Sequence, residues 1–206
     1  MPSTMMSAPL SLNSFTLDDL APFTSEKSFP ANDSPDFRAF YAGRDDVHGA
    51  LKYLLSRCAR SLRFNMFGYD DDELDEIIQS KIKNENVFVQ GTLDKSQAGG
   101  AHEKKILAGW DTQVRNSFAI GQSATHQITH TKGGVIDGLV SWEGSTNWSA
   151  SGEGTIVAPD GSNTGRKAQN NTLLVYVHPV QIARFTDELD LEHATALQQQ
   201  LAAVAK

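Results

Sequence analysis

The chain has one cysteine, Cys58, in 206 residues. That excludes an internal disulfide and a cysteine-based zinc site. No apolar run reaches the roughly 20 residues that a membrane-spanning helix needs. The start, Met1-Pro-Ser-Thr-Met-Met6, lacks the basic region and apolar core of a secretory signal. The compartment is left open by this, with cytoplasm preferred. Positive charge is in deficit: 18 Lys and Arg against 25 Asp and Glu leave a formal −7. An indiscriminate, uniformly basic binder of phosphate polymers is therefore disfavoured, although net charge says nothing about a local basic groove. Repeats and low-complexity tracts are missing as well. With 39% hydrophobic and 21% charged residues, the chain has ordinary globular composition and the length to bury one real core.

Residues 1–35, rich in Ser, Pro and Asn, read as an N-terminal arm packing over a single domain at 36–206. Phe37 to Tyr41 reads as a first strand. Asp45 and Asp46 precede Val47, Ala50, Leu51, Leu54, Leu55, Cys58 and Leu62, the spacing of an amphipathic helix with acidic residues at its start. Leu62–Phe67 follows as a strand. Asp70 and Glu73 resemble a capping box for a helix lined by Leu74, Ile77, Ile78 and Ile82. Val87–Leu93 is the next strand, and Gly99-Gly100 break the chain before a helix near Glu103–Trp110. Thr125 to Val140, rich in Ile, Val and Thr, reads as two strands or one bent strand. Residues 149–170 read as an inserted polar loop or hairpin with Arg166 and Lys167 at its exit. Leu173–Val177 reads as a buried strand, and Pro179 opens a final helix with Ile182, Phe185 and Leu189 inward. Leu197, Leu201 and Val204 extend that face. Strands alternating with helices predict an α/β fold with a mixed, largely parallel sheet.

The chemistry concentrates between His130 and Asn147. His130 offers an imidazole that acts as nucleophile or acid–base near neutral pH. Lys132 brings a compact positive charge and Asn147 an amide donor, both suited to phosphate oxygens. In an extended strand, His130 and Lys132 would share a face, and Gly144-Ser145 would turn Asn147 back toward them. His102-Glu103-Lys104 repeats the His-x-Lys pattern, but on a helix those side chains diverge, and it reads as a solvated face. His126 and His130 have a metal-binding helical spacing, yet their β-rich surroundings and lack of a further ligand argue against an ion. His48, His178 and His193 carry no functional signal. Asn147-Trp148-Ser149 satisfies a glycosylation sequon, read as coincidence because a glycan would cover these residues. No metal or cofactor is expected.

Taken in full, His130-x-Lys132, four residues, Asp137, six residues, Gly144-Ser145, one residue and Asn147 resembles the signature of the phospholipase D superfamily. Leu62 to Asp94 is similar to the strand–helix–strand of its short members, and Trp148 to the small bacterial nuclease branch. The likeness spans Phe37 to Leu189. It implies a phospholipase D-like α/β/α sandwich. It also implies a metal-independent phosphodiesterase in which His130 attacks phosphorus to form a phosphohistidine that water hydrolyses. Single-motif members pair as homodimers, so His130 of the partner subunit would protonate the leaving group. Lys132 and Asn147 would hold phosphate oxygens and Ser145 would support them. Asp137 is expected to make a structural ion pair rather than to react.

One departure concerns the Glu that short members carry before the last core strand to orient the histidine. The region here is Gln169-Asn170-Asn171-Thr172; Asn171 is the nearest match, and Glu153 another candidate substitute. An imidazolium gains less from an amide than from a carboxylate. Arg166 and Lys167, with Asn171, are candidate substrate contacts. The favoured reading is an endonuclease acting on DNA or RNA. The alternatives are phospholipase or phosphatidyl transfer on a phospholipid, and a non-catalytic nucleic-acid-binding dimer.

Overall fold

Each element of the first half starts where the sequence supplies a local reason, as the computed structural model shows for residues 14–99, 104, 116–155 and 167–204. Phe37–Tyr41 forms β1. Asp46 accepts a hydrogen bond from the Gly49 amide at 2.8 Å and so caps α1, Val47–Ser56. The helix is shorter than its apolar spacing suggested. The Arg57 and Cys58 amides fold back onto the Leu54 and Leu55 carbonyls, leaving Cys58 buried beyond the helix. Leu62 then belongs to β2, Ser61–Met66. The cap of α2, Asp72–Lys83, is Asp71 rather than Asp70: Asp71 accepts from the Leu74 amide, whereas the Asp70 amide donates to the Trp148 carbonyl. Leu74, Ile78 and Ile82 are buried as their spacing predicts.

β3 is Phe88–Asp94, and β4, Ser117–Gly121, is a strand absent from the sequence expectation. Residues 122–132 form no strand; they make a turn, with His126 at φ 58°, and then run irregularly into β5, Gly133–Ile136. An Asp137-Gly138 turn, with both residues at positive φ, joins β5 to β6, Val140–Gly144. Positive φ at both central positions is what a tight hairpin turn requires. A single helical turn, α3 (Ala150–Glu153), precedes β7, Thr172–Tyr176, and the long α4, Pro179–Val204. The expected hairpin at 149–170 therefore begins with α3, and 156–166 lie outside the described residues. So does most of the helix expected near 103–110.

Among the described residues, seven strands form one sheet in the order β1-β7-β6-β5-β2-β3-β4. It is mixed, as expected, but not largely parallel. Only β2–β3 and β3–β4 pair parallel, and the other four pairings are antiparallel. The reason is local: the strand–helix alternation that enforces parallel crossovers ends at β4, after which a tight hairpin sets the direction. β7 alternates buried and half-buried residues rather than burying both faces, although β1 pairs along its outer side.

One sheet face carries the main apolar core with α1 and α2. Leu17 and Leu20 of a short 3-10 helix, Leu17–Phe23, join this core, so the N-terminal segment from residue 14 packs on the domain. Val135 with Ile182, Phe185 and Leu189 makes a smaller cluster under α4. The rest of that second interface is polar. Asp190 accepts from Arg63 at 3.0 Å and from Gln90 at 2.8 Å, and His193 bridges Thr92 and Ser117 at 2.8 and 2.7 Å. Alternation along β2 and β3 turns Arg63, Asn65, Gln90 and Thr92 to one side and Leu62, Phe64, Val89 and Leu93 to the other. Three layers result, with the sheet in the middle.

Candidate active site

Four strand ends meet where the motif residues lie. Asn65 of β2 pairs with Gly133 of β5, and Gly133 with Glu143 of β6. Gly144 pairs with Leu173 of β7. The exit of β2, the entry of β5, the exit of β6 and the entry of β7 thus share one edge. His130 and Lys132 lead into β5, Ser145 and Asn147 leave β6, and Asn171 enters β7. Phe67 and Gly68, just past β2, tie the group together. The His130 ring meets the Phe67 ring edge-on with centroids 4.6 Å apart, and Lys132 Nζ lies 5.0 Å from the same centroid. The Gly68 amide donates to Asn147 Oδ1 at 3.1 Å. That leaves the Asn147 amide nitrogen as the donor end. The Gly144 amide donates to the Lys132 carbonyl at 3.1 Å, fixing one motif half against the other.

His130 is exposed while Lys132 is only 4% exposed. Lys132 Nζ donates to the His130 carbonyl at 2.7 Å and has a cation–π contact, which is thin compensation for a buried ammonium. Burial accordingly brings the Lys132 pKa down to about 8. Burial, followed by repulsion from Lys132, holds His130 below the ordinary histidine value, with Asp94 pulling the other way. A neutral imidazole is thereby favoured, which leaves a ring nitrogen lone pair available for attack. The ammonium beside it can take an anionic oxygen.

The segment before His130 is set by groups the sequence did not single out. Asp94, fully buried at the end of β3, accepts from the Thr129 amide at 2.5 Å and from the Ser96 amide at 2.8 Å. Glu192 of α4 accepts from the Thr131 hydroxyl at 2.8 Å and from the Asn65 amide. Backbone and side-chain ties therefore flank His130 on both sides. Asp94 could have been suspected as an acidic residue ending an apolar strand, but Phe67, Gly68 and Glu192 had no signal.

The remaining expected residues divide. Ser145 Oγ donates to Asn171 Oδ1 at 3.1 Å and accepts from the Thr172 amide at 3.0 Å. Asn171 Nδ2 donates to the Gly152 carbonyl at 2.9 Å and to Gln169 Oε1 at 3.1 Å. Asn171 thus braces the loop after Asn147, and among the described residues its side-chain bonds run to that loop and Ser145. Glu153 does not stand in at His130 either, since it points to His48 on α1. Asp137 lies at the far end of β5 from Lys132, roughly 17 Å along the strand. Its carboxylate forms no ion pair among the described residues; it accepts from the backbone amides of Ala59, Arg60 and Ser61 at 3.0, 2.7 and 2.7 Å. Lys167 is exposed, and Arg166 lies outside the described residues.

No protein-family model matches the chain, and no curated protein matches it by sequence. Solved structures do match. NucT from Helicobacter pylori superposes with a TM-score of 0.61 at 16% identity, covering 77% of this chain and 96% of that one. Nuc from Salmonella typhimurium, described as a phospholipase D family member, gives 0.58 at 13% identity, covering 76% and 92%. Phosphatidylserine synthase from Haemophilus influenzae gives 0.52 at 11%, covering 76% of this chain but 38% of its own. The strand order, the three layers and these superpositions agree: the chain has the phospholipase D-like fold.

Proposed function

We propose that the chain is a metal-independent phosphodiesterase, an endonuclease cleaving DNA or RNA through a phosphohistidine on His130. The observation that carries this reading is an exposed, neutral-leaning His130 set beside the buried Lys132 ammonium and the Asn147 amide at one sheet edge. The imidazole attacks phosphorus and forms a P–N bond as the P–O bond to the leaving oxygen breaks. Lys132 and Asn147 hold the oxygens on which charge accumulates, and Ser145 and Asn171 brace the loop that carries Asn147. One imidazole cannot attack and donate a proton in the same step. Two copies therefore form a homodimer, and His130 of the partner subunit protonates the leaving oxygen. Lys167, with Arg166, contacts the polyanion on either side of the scissile bond. Nucleic acid is preferred to phospholipid because the chain covers nearly all of NucT and Nuc but a minor part of the synthase. In addition, none of the described helices is long and apolar enough to cross a membrane.

The test offers single- and double-stranded DNA, RNA and phospholipid vesicles, without added metal, to the wild type and to His130→Ala. Cleavage of nucleic acid that falls at least ~1,000-fold in the variant is expected. A labelled nucleotide, joined through its phosphate, should also remain on the wild type alone after denaturation in detergent at alkaline pH, where a P–N bond survives. Turnover of lipid only would move the assignment to a phospholipase. Silence on every substrate would move it to a nucleic-acid-binding dimer.

A further inference from the structure

On the other side of Asn147, three segments remote in sequence converge on one imidazole. His48 stands in the first turn of α1, Asp71 caps α2, and Glu153 ends α3. Glu153 Oε2 contacts His48 Nδ1, and Asp71 Oδ2 lies 3.4 Å from the same nitrogen. One donor atom from each residue falls within 4.8 Å of the others. A zinc ion with donors at about 2.0–2.1 Å holds them about 3.3 Å apart in a tetrahedron, so small side-chain rotations suffice.

In Asp71 and His48 the second polar atom is engaged elsewhere, so that the first faces the cluster. Asp71 spends Oδ1 on the Leu74 amide and turns Oδ2 to the imidazole. The other ring nitrogen, His48 Nε2, faces Glu73 Oε2 at 3.5 Å, and Glu73 in turn pairs with Lys52. A carboxylate behind the imidazole of a metal ligand is the usual way its orientation is fixed. The independent sign of a missing ligand is Glu153. Its side chain is fully buried, yet among the described residues nothing donates a hydrogen bond to Oε1. A buried carboxylate oxygen without a donor is costly and calls for a partner. A cation bound through both Glu153 oxygens satisfies it.

We propose that His48, Asp71 and Glu153 bind one divalent transition-metal ion, of which Zn2+ is the representative, in a structural site separate from His130. An imidazole nitrogen with two carboxylates suits zinc or manganese better than calcium or magnesium, which take oxygen ligands throughout. On binding, the proton on Nδ1 passes to solvent and the nitrogen lone pair takes the ion. The ion would join α1, α2 and α3. α3 begins three residues after Asn147, and the 68–70 segment bonds to Asn147 and Trp148, so the site would stiffen the loop that presents Asn147.

The full chain, stripped with chelator and dialysed, is titrated calorimetrically with Zn2+. One equivalent is expected, with affinity weakened at least ~10-fold in His48→Gln and in Glu153→Gln. His130→Ala should keep both stoichiometry and affinity, which separates this site from the phosphodiesterase centre whatever the fate of that reading. Wild type without a stoichiometric site, or His48→Gln binding as tightly, overturns the proposal. Should the variants misfold, zinc-edge X-ray absorption of the wild type decides. A shell of oxygen donors with a single imidazole supports the site, and two or more imidazoles or any sulfur refutes it.

Discussion

Replacing Asp137 with alanine separates an architectural aspartate from a reacting one. Its carboxylate receives three backbone amides from residues 59–61, where the chain leaves α1 and enters β2, and its own amide donates to the Ser61 carbonyl at 2.7 Å. Hydrogen bonds to a charged acceptor contribute about 1.5–3 kcal/mol each. The three share one carboxylate and their donors are partly solvated, so water recovers part of the loss and a total near 3 kcal/mol is reasonable. Asp137 also sits at φ 57°, where alanine adds roughly 1 kcal/mol of strain. A loss of about 4 kcal/mol would lower the urea midpoint by about 1.3–2 M at a slope of 2–3 kcal/mol per M. Asp137→Asn keeps one acceptor oxygen and tolerates positive φ, so it should lose about half as much. The assay is urea unfolding at fixed protein concentration, because the midpoint of the proposed dimer would depend on concentration, read beside kcat/KM on nucleic acid. The reasoning fails if the midpoint of Asp137→Ala moves by less than ~0.5 M. It fails equally if the folded variant loses cleavage to the extent that His130→Ala does.

Other perturbations address the reacting edge. In a kcat/KM profile, activity should fall on the alkaline side as His130 of the partner subunit loses the proton it must donate, and more steeply above about pH 8, where buried Lys132 loses its own. On the acid side it should fall only below the ordinary histidine value of about 6.5, because protonation removes the lone pair of His130. Lys132→Arg should abolish only the steeper fall above about pH 8, since guanidinium stays charged. Gly68→Ala would set a Cβ 3.1 Å from Asn147 Cγ and push that amide away. A displacement near 1 Å costs up to ~100-fold, so steady-state rates should drop by about 10–100-fold with little change in melting. Asp94→Asn removes the negative charge that raises His130, so an NMR titration of the His130 ring should show a lower pKa than in the wild type.

The candidate reacting residues are legible as a group because they are local: His130 to Asn147 spans one hairpin, and the spacing itself carries their proximity. What holds them is not local. Phe67, Gly68, Asp94 and Glu192 reach the site from β2, β3 and α4, and only the folded sheet brings them to His130. Asp137 shows a different limit. An acidic residue suggests a cationic side chain, but its partners are backbone amides, which have no signature in sequence. The sheet direction was misjudged for a related reason, since the periodicity of β5 and β6 reports burial and not which neighbour a strand pairs with. His48, Asp71 and Glu153 are each unremarkable in their own elements, and only packing of α1 against the α2 and α3 turns assembles them.

Lys132 links the chain's acidic balance to the proposed substrate. With a net charge of −7, long-range attraction for a polyanion is weak, so binding depends on cations at the site itself. A lysine buried to the point of losing its proton near pH 8 is poorly compensated in the free protein, and a bound phosphate would supply the missing anion. Binding and proton uptake are then linked. At pH 8 about half of the free sites lack the Lys132 proton, so phosphodiester binding should take up about half a proton per site, falling toward zero by pH 6. His130→Ala makes the measurement clean, because it removes both cleavage and the other titrating group. Calorimetry of a short oligonucleotide in buffers of different ionisation enthalpy reads the proton count directly. Proton release at pH 8, or no exchange while the oligonucleotide binds, would mean that Lys132 does not meet the phosphate and that the cationic contact lies elsewhere on this edge.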